Sequence, residues 1–152
     1  MIPEFANYAM AAVLVAAMLI EIRTGRIPNW LTALPLVIFV AVLVVSPERG
    51  PLYWQIGLAA GVFVAGLGLF AIGGMGAGAV KLLAGTMLFV PLGKAFFALL
   101  AFIGVLIVSA FVFGTLRKAV GSEDSKWHLM AHQVIPLSVP IGVMGLLGMF
   151  AL

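Results

Sequence analysis

Gly73-Gly74-Met75-Gly76-Ala77-Gly78-Ala79-Val80-Lys81 is a glycine-rich turn that ends in a lone lysine between two apolar segments. Glycine-rich turns ahead of a helix cradle phosphates when backbone N–H groups converge on the ligand. A nucleotide loop would also need a G-K-[ST] ending and a preceding strand, and neither is present. Taken alone, Lys81 reads as a snorkelling interface lysine, its stem along apolar surface and its ammonium in water. Glu21 is the other group of interest. It closes an apolar segment and is followed by Ile22-Arg23-Thr24-Gly25-Arg26-Ile27-Pro28-Asn29-Trp30. A carboxyl at membrane depth is costly and points to function. Near a span end, Glu21 could equally reach water and pair with Arg23 or Arg26. Pro28 turns Ile27 away from helix and sits where the next segment starts. Trp30 is placed to anchor the membrane interface.

His128 and His132 are four residues apart, so on a helix they share a face. Zinc would need a third ligand and usually an H-E-x-x-H pattern, but Leu129 follows His128. The stretch 121–133 reads instead as an amphipathic interfacial segment, with Glu123, Asp124 and Lys126 on its wet side. No metal and no cofactor are expected. The chain has no cysteine, which excludes disulfides, thiolate metal sites and a cysteine nucleophile.

These residues are positioned by elements that lie in lipid. Of 152 residues, 64% are hydrophobic and 9% are charged, against about 25% charged in a soluble domain. The apolar runs are continuous rather than alternating, which predicts helices and not a barrel. Six spans are expected, near 5–22, 30–46, 54–72, 79–92, 94–116 and 134–152. Together they form an all-α, polytopic membrane helix bundle with 1–152 as one domain. The fourth span is short enough to suit a re-entrant helix as well. No basic region precedes the first span, which argues against a cleaved signal peptide. With six spans, Arg23, Arg26, Lys81, Arg117, Lys118 and Lys126 fall on one side, and Arg49 and Lys94 on the other. The positive-inside rule makes the first side cytoplasmic. The net charge of +3 therefore marks topology and not nucleic acid. Gly57, Gly61 and Ala65 recur every four residues and predict close helix packing within one monomer, with a dimer face as the alternative.

Read together, the two polar stretches carry a family resemblance. Residues 21–29 resemble the first catalytic motif of type IV prepilin peptidases, D-x-R-x-x-x-I-P-N. Residues 74–82 resemble the second, G-M-G-x-G-D-V-K-L, of the GxGD intramembrane aspartyl protease type. The order, the spacing and the span count agree over essentially the whole chain. The small size and the lack of cysteine resemble the short members that process Flp or Tad-type pilins. The resemblance implies a bacterial inner-membrane endopeptidase with its site on the cytoplasmic side. It implies two carboxylates that share a proton and act as base on water and acid toward the scissile amide. The implied partner is a prepilin with a basic leader ahead of an apolar helix; membrane lipid and pilus-assembly machinery are further partners. Gly76, Gly78, Lys81, Arg23, Pro28 and Asn29 would bind substrate or support the site.

The two catalytic positions depart from the pattern. Glu21 stands where the first aspartate is expected and Ala79 where the second is expected. Glu21 adds a methylene, and a misplacement of about 1 Å can cost on the order of a hundredfold in rate. A methyl group can neither give nor take a proton, so the two-carboxylate mechanism cannot run on this chain as it stands. A deliberately inactivated form and a natural pseudo-enzyme both fit. The expected reading is a leader peptidase with little or no activity. A non-catalytic prepilin-binding or assembly protein on the same fold is the alternative, ahead of a small transporter subunit, for which internal symmetry is missing. Positions 21 and 79 are expected to face each other across a polar notch lined also by Lys81.

Overall fold

Six helices occur among residues 2–120 and 135–151, which the computed structural model describes. They are α1 (Glu4–Thr24), α2 (Asn29–Val45), α3 (Gly50–Ala71), α4 (Ala77–Met87), α5 (Ala95–Val120) and α6 (Ser138–Leu146). A single 3-10 turn, Leu92–Lys94, leads into α5, and α6 runs on as a π-helical turn over Leu147–Ala151. No strand occurs among the described residues. The protein is an all-α membrane helix bundle, as its composition requires. By length and composition α1, α3 and the helix through Leu92–Leu116 can each cross a membrane; the other three are shorter apolar helices.

Local chemistry sets the helix ends. Gly25 closes α1 in the left-handed conformation at φ 75°, with its N–H on the Glu21 carbonyl at 2.7 Å. Only glycine enters that region without a Cβ penalty. Gly73 does the same after α3 at φ 77°. There, Gly74 N–H bonds the Leu69 carbonyl and Gly73 N–H that of Phe70, the paired bonds of a Schellman cap. The glycine-rich turn thus has two halves. The first ends α3, and the second starts α4 with Gly76 at the N-cap position.

At the centre lies α4. Every residue from Ala79 to Val90 except Lys81 is buried. It has 11 helical residues, about 16 Å at 1.5 Å per residue, well short of a bilayer core of about 30 Å. Three 3-10-type bonds, from Leu88 to Gly85, Phe89 to Thr86 and Val90 to Met87, tighten its end before Pro91. Around it pack α2, α3 and α6, while α1 and α5 pack against α6.

The small-residue contacts fall elsewhere than Gly57, Gly61 and Ala65, which are exposed. A Cβ built on Gly57 or Gly61 meets nothing within 4 Å, so that face packs on no described residue of the monomer. Gly66, on another face of α3, is the residue that seats Val80 of α4. In α6, Gly142 lies against Met18, and Gly145 lies against Leu14 and Thr86. In the π-helical turn that follows, Gly148 lies against Val90. Small residues there let the last helix approach α1 and α4 closely. The remaining apolar surface faces outward, including Leu36, Val40 and Val44 of α2 and Ile103, Ile107 and Phe111 of α5.

Candidate functional site

The link between the two polar stretches is made at the start of α4. Gly78 sits against Ile27 in the α1–α2 connection. A Cβ at position 78 would stand 3.0 Å from the Ile27 carbonyl oxygen and 3.1 Å from its Cβ. A side chain there would crowd Ile27, so glycine suits this close approach. Ile27 is itself buried. One turn on, Lys81 Nζ donates to Asn29 Oδ1 at 3.2 Å. An apolar contact and a polar bridge therefore join segments 52 residues apart in sequence.

The α1–α2 connection is held firmly enough to serve as one side of a site. Thr24 Oγ1 donates to the Ile20 carbonyl at 2.7 Å, with the Arg26 carbonyl 3.1 Å away as an alternative acceptor for the same proton. Pro28 starts α2, and its carbonyl accepts from Leu31 N–H and Thr32 N–H. Arg23 lies exposed in the last turn of α1, where a cation complements the helix dipole. Trp30 is exposed at the start of α2.

Positions 21 and 79 are both enclosed. Glu21 is only 6% exposed, and Oε2 accepts the N–H of Ser138 at 2.7 Å. Ser138 opens α6, so the carboxyl sits at the positive end of a helix. Ala79 is 4% exposed, in the first turn of α4 and within the apolar core. The expected open notch is thus replaced, at these two positions, by burial. A groove of about 540 Å³ does begin beside the motif residues, but it is lined by Asn29 and Lys81 and not by Glu21 or Ala79.

Ser138 is the site residue that the sequence did not point to. Its side chain is fully buried, and among the described residues its Oγ makes no hydrogen bond of good geometry. The sole signal was a lone serine at the start of the last apolar run. His128 and His132, and the amphipathic segment expected over 121–133, lie outside the described residues. Among the described residues, no three His, Asp or Glu side chains converge to hold a metal.

The sequence model of the type IV leader peptidase family matches residues 8–116. The chain belongs to the type IV leader peptidase family. The match takes in both motif segments and runs from α1 into α5. Glu21, Ala79 and the Lys81–Asn29 bridge lie inside the leader peptidase region, whereas Ser138 and the rest of α6 lie beyond it. No curated protein and no solved structure matches the chain.

Proposed function

We propose that this leader peptidase family member keeps the prepilin-recognising frame of an aspartyl leader peptidase without its hydrolytic activity. The site would face the cytoplasm from a bacterial inner membrane. The substrate would be a Flp or Tad-type prepilin, with its basic leader at the interface and its apolar helix in lipid. The observation that carries this reading is the joining of the two motif segments by Gly78–Ile27 packing and the Lys81–Asn29 bridge. The frame is held together while residue 79 offers only a buried methyl group. Hydrolysis on two carboxyls needs one to take a proton from water and one to give a proton to the leaving amine. Glu21 supplies one carboxyl, and it is already bonded to the start of α6. Nothing at residue 79 supplies the other.

The test is rescue. Ala79→Asp with Glu21→Asp, co-expressed with a cognate prepilin, is expected to restore leader removal, seen as a mobility shift. Ala79→Asp alone is expected to restore part of it, and the unmodified chain none. A folded double variant that leaves the prepilin uncut would assign the chain to prepilin binding or pilus assembly without catalysis.

A further inference from the structure

We infer that the groove between α2, α3 and α4 is a binding site for an anionic glycerophospholipid, its phosphate at Lys81 and Asn29 and an acyl chain along the apolar walls. The inference stands apart from peptide cleavage. Both α2 and α3 pack on α4 but scarcely touch each other, although only four residues connect them. The gap between them is the groove. Ala33 and Leu36 form one wall, Ala60 and Phe63 the other, and Ala84 and Leu88 the floor. This surface is apolar and lies between two apolar helices of a membrane bundle, where lipid and not water is the solvent.

One end is different. Lys81 and Asn29 stand there, and among the described residues no Asp or Glu lines the groove. Among the described residues, the polar partner of Lys81 Nζ is the neutral Asn29 amide oxygen. The ammonium keeps further donors, and so does the Asn29 amide nitrogen. Asn29 is the first residue of α2, and Lys81 lies one turn into α4. Two helix N-termini, each with a partial positive charge, therefore converge on the same mouth. A cation with donors at the head of an apolar groove complements a phosphate that carries a hydrocarbon tail. The same charge does not suit a basic prepilin leader, so in the proposed function Lys81 and Asn29 hold the frame together and do not contact the leader.

The experiment is native mass spectrometry of the purified chain in mixed micelles with equimolar dioleoyl phosphatidylglycerol and dioleoyl phosphatidylcholine. Phosphatidylglycerol is expected to be retained about fivefold over phosphatidylcholine, the effect of one lysine beside anionic lipid. Lys81→Gln should bring the ratio to about one, and Lys94→Gln, at the far end of the bundle, should leave it unchanged. Ala33→Trp and Ala60→Trp, both at exposed positions, should each fill the groove and remove retention of both lipids. Equal retention of the two lipids by the unmodified chain overturns the inference. So does a preference that survives Lys81→Gln, or retention that survives both tryptophan variants. An apolar pilin-type helix peptide bound in place of lipid, or a dimer dissolved by Ala60→Trp, would assign the groove to that occupant instead and equally overturn it.

Discussion

Gly85→Ala should separate α2 from α4 and loosen the bridge between the two motif segments. A Cβ at Gly85 would lie 2.8 Å from Cβ and 3.2 Å from Cγ of Pro35. The Pro35 ring is rigid and fixed to the α2 backbone, so no rotamer change can relieve the contact. Forcing extra volume into a packed site costs about 1–3 kcal/mol. Replacing glycine by alanine inside a helix returns about 0.5–1 kcal/mol. The matched control is Gly57→Ala, also inside a helix, where the added methyl meets nothing within 4 Å. The helix gain cancels between the two variants, so their difference isolates the packing cost of about 1–3 kcal/mol. In thermal unfolding in detergent, that is about 2–4 °C per kcal/mol for a chain of this size. Lys81 lies four residues before Gly85 on the same helix, so both face α2. The Gly85 variant should therefore also weaken the Lys81–Asn29 contact, and in the Ala79→Asp, Glu21→Asp background it should lower leader removal. A Gly85→Ala protein as stable as Gly57→Ala would refute the packing of α4 on Pro35.

Two further outcomes follow from the same geometry. Glu21→Gln keeps an oxygen for the Ser138 N–H, whereas Glu21→Leu leaves that buried donor unpaired; the leucine variant should be less stable than the glutamine variant by about 1–3 kcal/mol in the same unfolding assay, and equal stability would remove the α6 contact. For orientation, single cysteines at Thr24 and Ala77 should react with a membrane-impermeant maleimide only after cells are opened, and one at Leu92 should react in intact cells. Labelling of Thr24 or Ala77 from outside would overturn the proposed cytoplasmic orientation; the chain has no background thiol.

Much of this protein could be read without its tertiary structure. Composition alone determined the solvent, and the solvent determined that the backbone must close its own hydrogen bonds as helices. Pro28 and the glycine-rich turn from Gly73 marked helix ends by local chemistry, because turns depend on residues close in sequence. The two motifs, and the missing carboxyl at Ala79, were legible because they are patterns of residue type. Which faces meet was decided only by the tertiary structure. In lipid the core and the outer surface are both apolar, so hydrophobic periodicity no longer marks the buried side. Gly57 and Gly61 have the spacing of a packing face and lie exposed, while Gly66 and Gly145 make the contacts. Glu21 offered the same ambiguity. Its position near a span end allowed water, Arg23 or Arg26 as its neighbour. The fold gave it the N–H of Ser138, 117 residues away, a partner that no local pattern encodes because only the docking of α6 on α1 brings the two together.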